Sequence, residues 1–413
     1  MRYKFNWLCH ADELILQTVK LFNIMKRIAT FILFGLIIGF SQQVVADDGW
    51  VGTWATAVEP TTMKDMPAFS LANRSIRQVV HVSLGGSELR LQLSNVYSSV
   101  PVEIKSVFVA DAKEGSEIDV RTARYLKFNG KQKCVIKAGD SIYSDVFSYP
   151  LKPLQRLAIT VCYGDSVPEC GTSHRGSRTT SYIYNGTAKP KTRFVGTEDV
   201  EHWYNIAALD VKVDAPVIAC LGNSITDGRG TTTNAQNRWT DFMAEALGGQ
   251  MGVLNLGIGG NCVLRNGLSD PAVKRFDRDI LGQRGVKTLI IFEGVNDIGG
   301  SIGNAEQVAQ ELIKVYGEMI DKAHAQGIKV YMGTITPFGK SFYDSRFHEA
   351  ARLVVNDWIR SNKKADGIID FDELVRDPQH PTQLIEEYSD DWLHLNPQGY
   401  EAMGKFAAEQ ISK

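Results

Sequence analysis

The sequence predicts an α/β protein in which a β-rich first half is followed by a half built around a parallel sheet. In residues 213–413, short apolar runs typical of buried parallel strands alternate with stretches of helical periodicity. In residues 47–212, strand-like runs follow one another, and we find no convincing amphipathic helix. A chain of 413 residues is long enough for two such domains with sizeable cores. We therefore expect an all-β domain followed by a three-layer α/β/α domain.

The first 46 residues are typical of a segment that is removed from the mature protein. Met25 is followed by Lys-Arg, an apolar run at 28–40, and two valines before Ala46. This pattern predicts a secretory signal peptide that starts at Met25 and is cleaved after Ala46. The apolar run is short for a membrane span, so we expect no permanent anchor. The expected location is secreted or periplasmic, and a structured extension at 1–24 is the alternative to a later translation start.

The β-rich half is expected to fold as a β-sandwich or jelly-roll-like domain over residues 47–212. One of its runs alternates apolar and polar residues cleanly, as a strand with one face in the core does. The polar stretch 171–176, which includes His174, is expected to be a surface turn, and a loop that reaches over a functional site is the alternative. The predicted strands lie near 75–84, 88–94, 102–110, 141–147 and 157–163.

The second half is expected to form a parallel sheet of about five strands with helices on both faces. Asn396 and Pro397 are suited to the N-cap and first position of the last helix. The predicted strands lie near 217–222, 253–256, 287–293, 328–333 and 367–371. The predicted helices lie near 238–247, 271–281, 305–326, 345–362 and 398–411.

Ser224 occupies the most informative position in the chain. It lies in the sequence Gly-Asn-Ser-Ile-Thr-Asp-Gly at 222–228, directly after a predicted central strand. Open α/β sheets bind their ligands at the carboxyl ends of such strands. On its own, the motif is better explained by a strand-end turn in which Ser224 caps a helix, because short Gly/Ser loops are common. The remaining polar loops favour a nucleophile instead.

A base and an orienting carboxylate for this serine are found together near the end of the chain. Asp391 and His394 are three residues apart, so one short loop can hold the carboxylate against one imidazole nitrogen. The other nitrogen is then free to face Ser224. The order Ser, Asp, His along the chain is that of open α/β hydrolases. A histidine that only precedes the capped last helix is the alternative, and that helix start is compatible with catalysis.

Two further strand ends offer hydrogen-bond donors. Residues 257–261 are rich in glycine and expose backbone N–H groups, and Asn296 provides a side-chain amide. Each loop alone is weak evidence, because glycine turns and Asn-Asp caps are common. Four polar loops at four strand ends of one domain are a much stronger indication of a site.

These loops resemble the sequence blocks of the SGNH (GDSL-like) hydrolase superfamily, which is named for its invariant Ser, Gly, Asn and His. The four matching blocks occur in order at 222–228, 255–261, 294–297 and 391–394, within a resemblance that covers about 215–413. The common α/β-hydrolase motif G-x-S-x-G is absent, and no Gly-Lys-Ser/Thr of a P-loop follows the glycines.

The resemblance implies a flavodoxin-like α/β/α fold and assigns a role to each matching residue. Ser224 is the implied nucleophile, with His394 as its base and Asp391 as the group that orients His394. The N–H groups of Ser224 and Gly260 and the side chain of Asn296 form the implied oxyanion hole. No cofactor and no metal are implied, because water hydrolyses the acyl-enzyme.

One residue departs from the family pattern. Asn223 stands where the family usually has aspartate. The family's aspartate is not a member of the triad, so we expect activity to survive and the hydrogen bonds of the loop to differ.

The whole layout resembles the acetylxylan-esterase-like branch of secreted carbohydrate esterases, which carry an N-terminal β-domain. The residues at 50–55, 261–265 and 275–279 fit this branch. It implies a serine esterase that removes O-acetyl groups from polysaccharide or oligosaccharide through an acyl-enzyme. A lipase or lysophospholipase-type acylhydrolase, acyl transfer to another sugar, and a glycan-binding protein with an inactive hydrolase domain are the alternatives. The β-domain is then either a carbohydrate-binding module or a structural cover.

Charge and cysteine content limit the partners, disulfides and metal sites that the sequence allows. The formal net charge of −2 gives no electrostatic footprint for nucleic acid. The resemblance implies an acetylated glycan as the partner, and the oligomeric state stays open. Cys162 and Cys170 either form a disulfide or are free thiols. No cysteine or histidine cluster has the spacing of zinc ligands.

Overall fold

The computed structural model describes residues 49–413, which lie within one compact unit, Asp47–Lys413. The predicted signal peptide, with its start at Met25 and cleavage after Ala46, falls outside the described residues. The division into domains at 47–212 and 213–413 stays a prediction. Among the described helices, none has the length and apolar character that crossing a membrane requires.

A five-stranded parallel sheet forms the centre of the second half. The strand Val217–Gly222 is buried along its whole length, so helices cover both faces and the domain has three layers. In spatial order the strands are Gly252–Gly257, Val217–Gly222, Val286–Phe292, Lys329–Gly333 and Gly367–Ile369. In chain order this is 2-1-3-4-5, the flavodoxin-like arrangement, and all five predicted strands are confirmed.

The five predicted helices are present within a few residues of their expected bounds. Asn396 caps the last helix, its side chain accepting from the N–H groups of Gln398 and Gly399. The sequence did not predict the helical turns at strand ends, because four or five residues are too few to show a 3.6-residue period. The α-helices are Ser224–Asp227, Trp239–Ala246, Ala272–Phe276, Val295–Gly299, Ala305–His324, Arg346–Ser361, Phe371–Val375 and Pro397–Ile411. A π-helical turn, Asp277–Leu281, continues Ala272–Phe276, and a 3₁₀ turn forms at Glu386–Tyr388.

The first half consists of antiparallel sheets, as predicted, with one 3₁₀ turn at Val120–Thr122. A five-stranded sheet contains Trp50–Ala55, Gly86–Ser94, Ser141–Tyr143, Phe147–Leu151 and Ile206–Lys212. A seven-stranded sheet contains Ser75–His81, Val102–Asp111, Arg124–Tyr125, Cys134–Ile136, Arg156–Tyr163, Ser181–Tyr184 and Glu198–Val200. A three-stranded sheet contains Glu59–Pro60, Thr172–His174 and Trp203–Tyr204.

Two details of the β-rich half differ from expectation. A single strand at 141–147 is wrong, because the regular pairing is interrupted at 144–146 between two separate strands. The cause is Asp145, whose carboxylate accepts from the N–H groups of Asn129 and Gly130 in a neighbouring turn. The stretch 171–176 is not a surface turn either, because its residues 171–174 are buried and include the strand Thr172–His174.

The β-rich half packs directly on the parallel sheet. The strand Trp50–Ala55 places Gly52 where an added Cβ would contact the Leu254 side chain at 3.0 Å. Ser83 Oγ accepts from the N–H of Val253, at 2.9 Å. Buried side chains of both halves belong to one continuous hydrophobic core. The β-rich half is therefore in position to contribute side chains to the half that contains the parallel sheet.

The cysteines of the described residues are all free thiols. Cys162 is buried in its strand and Cys170 is exposed, so the disulfide alternative is not found in this structure.

Candidate active site

The polar loops that the sequence singled out meet at one edge of the parallel sheet. The N–H of Ile258 donates to Gly222 O at 3.0 Å, which ties the glycine-rich loop to the serine motif. The side-chain amide of Asn296 donates to Asn261 O at 2.7 Å, which ties the third loop to the second. The edge is the carboxyl-terminal one, where open α/β sheets bind ligands.

Ser224, His394 and Asp391 form a continuous chain of hydrogen bonds. Ser224 Oγ lies 2.8 Å from His394 Nε2, and His394 Nδ1 lies 2.7 Å from Asp391 Oδ2. A carboxylate only accepts hydrogen bonds, so Nδ1 carries the hydrogen of a neutral imidazole. Nε2 is then the acceptor for the serine hydroxyl. The arrangement can move a proton from Ser224 to His394 and stabilise the imidazolium that results.

The loop around His394 holds the ring from several sides. Asp391 Oδ1 accepts from the N–H groups of Leu393 and His394, at 3.0 and 2.8 Å. Ser389 Oγ donates to His394 O at 2.7 Å. Partial burial alone would raise the pKa of Asp391, but the hydrogen bonds from His394 and Leu393 hold it well below its usual range. Asp391 is therefore an anion at neutral pH, as an orienting group must be.

The turn that carries Ser224 is short and held at its start. Asn223 caps it, with Oδ1 accepting from the N–H of Ile225 at 3.0 Å. The Asn255 side chain donates to Thr226 O at 2.6 Å from the neighbouring strand. Ser224 itself is buried except for 7% of its surface.

The three predicted oxyanion donors lie on these same loops. In residues 49–413, no acceptor takes the N–H of Ser224 or of Gly260. Gly260 has φ +70°, a left-handed conformation in which glycine is unstrained. Asn296 uses one amide hydrogen on Asn261 O, and its Oδ1 accepts from Tyr343 O–H at 3.0 Å. Tyr343 therefore fixes which end of the Asn296 side chain is the donor.

Comparison with known proteins agrees with this geometry. Residues 220–402 match the family described as GDSL-like lipase/acylhydrolase. These residues belong to that family. A search of curated proteins found no match.

Solved structures of similar proteins cover about half of the chain. A GDSL-like lipase from Bacteroides thetaiotaomicron is 19% identical, with 48% of this chain and 87% of the other covered and a TM-score of 0.38. A carbohydrate acetylesterase family member from Sinorhizobium meliloti is 16% identical, with 48% and 97% covered and a TM-score of 0.37. At these scores the likeness carries no conclusion about this chain.

Sequence reasoning missed a buried carboxyl group next to the turn that carries Ser224 in this GDSL-like domain. Glu293 is fully enclosed, with Oε2 3.3 Å from Asn223 Nδ2 and Oε1 3.6 Å from Arg275 Nη2. Burial raises the pKa of Glu293 to about 8, with Arg275 opposing the shift and the Asp297 carboxylate reinforcing it. The family's aspartate at position 223 would face this carboxyl, whereas Asn223 can donate to it. The sequence did contain a signal for this buried carboxyl group, because a glutamate stands at the end of an apolar strand.

Asp297 holds the glycine-rich loop in place. Its Oδ2 and Oδ1 accept from the N–H groups of Val263 and Leu264, at 2.8 and 3.0 Å. Asp297 is therefore a support for the loop that carries Gly260, next in sequence to Asn296.

An open cavity of about 260 Å³ lies beside His394. Two arginines and two aspartates make its lining polar. The lining residues are Arg178, Arg229, Gly230, Asp390, Asp391, His394, Leu395 and Asn396. Within residues 49–413, no group of three or more histidine, cysteine, aspartate or glutamate side chains is arranged to hold a metal ion.

Proposed function

We propose that this protein is a serine esterase that removes O-acetyl groups from polysaccharide or oligosaccharide. One observation carries the mechanism: Ser224 Oγ lies 2.8 Å from His394 Nε2, while His394 Nδ1 lies 2.7 Å from Asp391. Such a chain activates a hydroxyl that is otherwise a poor nucleophile at neutral pH.

In the acylation step, Ser224 Oγ bonds to the ester carbonyl carbon as its proton moves to His394 Nε2. The tetrahedral intermediate collapses when its bond to the sugar oxygen breaks, and that oxygen takes the proton from His394. Water then attacks the acyl-enzyme, giving a proton to His394, and acetate leaves as Ser224 recovers its hydrogen. Asp391 stays ionised throughout and stabilises the imidazolium.

The negative oxygen of each intermediate needs donors that are already in place. We assign this role to the N–H groups of Ser224 and Gly260 and to the second amide hydrogen of Asn296. Losing one donor of this kind typically costs on the order of 3 kcal/mol of transition-state stabilisation.

The substrate follows from the sequence resemblance together with the character of the cavity. Its lining of Arg178, Arg229, Asp390 and Asn396 offers hydrogen bonds to sugar hydroxyls rather than an apolar surface for a long acyl chain. We propose a short acyl group, acetate, on a glycan.

The test is acetate release from acetylated xylan by residues 47–413, with Ser224→Ala as the control. We expect release by the wild type and none by the variant, whose thermal transition should be unchanged. Labelling of Ser224 by a fluorophosphonate without acetate release would keep the mechanism and reject this substrate. A p-nitrophenyl ester series that favours long acyl chains would support the lipase alternative.

We also propose that the mature enzyme acts outside the cytoplasm. The support is the predicted signal peptide that ends at Ala46. Mass spectrometry of the processed protein should give an N-terminus at Asp47, and an intact Met1 or Met25 would refute the proposal.

A further inference from the structure

Asp227 connects the nucleophile turn to the β-rich half. It is the last residue of the helical turn Ser224–Asp227, and its N–H donates to Asn223 O at 2.8 Å. The N–H groups of Gly228 and Arg229 both donate to Ser224 O, at 2.9 and 2.8 Å. A turn of four residues has little stability of its own, because nucleating a helix is costly. The position of Ser224 therefore depends on what holds Asp227.

The carboxylate of Asp227 is held by two side chains from the β-rich half. His174 Nε2 lies 2.8 Å from Oδ1, and Arg178 Nη2 lies 2.8 Å from Oδ2. The chain between these two residues passes so close that a Cβ on Gly176 would lie 1.9 Å from Asp227 Oδ2. Only glycine fits there. The carboxylate is 2% exposed, so these contacts replace the water that it would otherwise have.

His174 is a fixed and charged anchor. Its Nδ1 lies 2.9 Å from Ala57 O, and its ring stacks on Trp203 with the centroids 5.7 Å apart. Ala57 O and the Asp227 carboxylate are both acceptors, so both ring nitrogens carry hydrogens and His174 is an imidazolium. Burial alone would lower the pKa of His174, but the Asp227 carboxylate raises it. Burial alone would raise the pKa of Asp227, which the charges of Arg178 and His174 lower.

Arg238 and the chain around Arg178 complete the junction. Arg238 Nε donates to Asp227 O at 3.1 Å, and Arg238 Nη2 donates to Ser177 O. The N–H of Asn234 donates to Arg178 O at 3.0 Å. Both ends of the His174–Arg178 stretch are therefore bonded to the catalytic half.

We propose that His174 and Arg178 are positioning residues for the nucleophile, acting through Asp227, so that the β-rich half is a working part of the active site. The inference rests on the proposed function, because it concerns the serine that the proposed esterase uses. It differs from the two roles considered for this half, a glycan-binding module and a passive cover.

The protein contains a matched control for this idea. His81 joins the same two halves in the same way, with Nδ1 3.0 Å from Asp241 Oδ1 and Nε2 3.1 Å from Leu154 O. Asp241, however, belongs to the helix Trp239–Ala246 and not to the nucleophile turn. His81→Ala and His174→Ala therefore each break a histidine–aspartate pair between the two halves, but only His174→Ala removes a direct partner of Asp227. His81 reaches the turn that carries Ser224 only at a distance, through Asp241 and then Arg238, whose Nη1 lies 3.1 Å from Asp241 Oδ2.

The experiment compares these variants in the full mature chain, with p-nitrophenyl acetate as substrate and a fluorophosphonate as a small probe of Ser224. We expect His174→Ala to lower kcat roughly tenfold or more with KM unchanged, because small displacements of a reacting group are costly. Labelling of Ser224 should slow by a similar factor. His174→Gln, whose amide can still donate to Asp227, should recover part of the loss. His81→Ala should lower the unfolding temperature but leave kcat and the labelling rate unchanged.

An unchanged kcat in His174→Ala, or an equal loss in His81→Ala, would overturn the proposal and leave both pairs as structural contacts. If His174→Ala does not fold, the comparison of His174→Gln with His81→Gln decides the question by the same criterion. Failure of the proposed function looks different, because the wild type would then neither hydrolyse the ester nor be labelled at Ser224.

Discussion

The wild-type protein should lose much of its free energy of unfolding as pH rises, and replacing Glu293 with glutamine should remove this loss. Burial raises the pKa of this carboxyl to about 8 from the ordinary value of 4.5. Between these two pH values the folded protein keeps a proton that the unfolded chain releases. The free energy of unfolding therefore falls as pH rises from about 4.5 to about 8, and the contribution is constant above that.

The size of the effect follows from these two pKa values. Proton linkage gives a loss of about 4 kcal/mol between about pH 5 and about pH 9 for the wild type. Glutamine has the same shape but does not ionise, so the variant lacks this term. Arg275 keeps four acceptors without Glu293: Leu256 O at 2.8 Å, Asn261 Oδ1 at 2.9 Å, Gly222 O at 3.1 Å and Asp279 Oδ2 at 3.2 Å. The new amide hydrogens facing Arg275 add a cost of about 1 kcal/mol, which does not depend on pH.

The assay is urea unfolding of the wild type and Glu293→Gln at a series of pH values between about 5 and 9. We expect the variant to be slightly less stable than the wild type at the acid end and several kcal/mol more stable at the alkaline end. Glu409→Gln, which removes an exposed carboxylate from the last helix, should follow the wild type throughout. Parallel curves for the wild type and Glu293→Gln would refute the assignment of a raised pKa to this group.

Three further predictions concern the site itself. Asp391→Ala should lower kcat by on the order of tenfold to a hundredfold, which is a smaller loss than that of Ser224→Ala. The Asp391 side chain is 44% exposed, so water can replace it at His394 Nδ1. Equal losses in both variants would contradict this prediction. Tyr343→Phe should lower kcat by about tenfold with little change in KM, because the Asn296 amide loses the hydrogen bond that orients it. A change in KM alone would show that Tyr343 has a different role. Asn223→Asp should stay active near pH 6, and its alkaline fall in unfolding free energy should continue to a higher pH than in the wild type, because a second carboxylate facing Glu293 raises the pKa of Glu293 further; an unaltered pH profile of stability would count against that contact.

The parts of the fold that the sequence predicted well depend on local information. The parallel strands are continuous apolar runs, and the last helix begins where Asn396 and Pro397 require it to begin. Asp391 and His394 could be matched to each other because one short loop contains both. Their hydrogen bond, and that of His394 with Ser224, are as the sequence analysis expected, while the catalytic roles stay a proposal.

The partners of the β-rich strands depend on long-range packing and could not be predicted. The strands Ser75–His81 and Gly86–Ser94 follow each other across a short turn, yet they lie in different sheets. Each pairs with strands far away in sequence, Arg156–Tyr163 and Ile206–Lys212. A pattern of alternating residues shows that a strand has a buried face but does not show which strand pairs with it.

The same limit explains why the sequence did not predict the buried charged side chains that support the site. It also explains why the contribution of the β-rich half to that support was not predicted. A buried carboxylate without a partner costs several kcal/mol, so Asp227 and Glu293 each require a donor nearby. The sequence shows this need, but the donor can lie anywhere in the chain. Glu293 has Arg275 of its own half 3.6 Å away, and its pKa is raised to about 8, so it keeps its proton at neutral pH. The ionised Asp227 is instead held by His174 and Arg178, about 50 residues earlier and in the other half. The second half, folded alone, would leave the Asp227 carboxylate without its two side-chain partners in the turn that carries Ser224. The two halves therefore have to be treated as one structural unit.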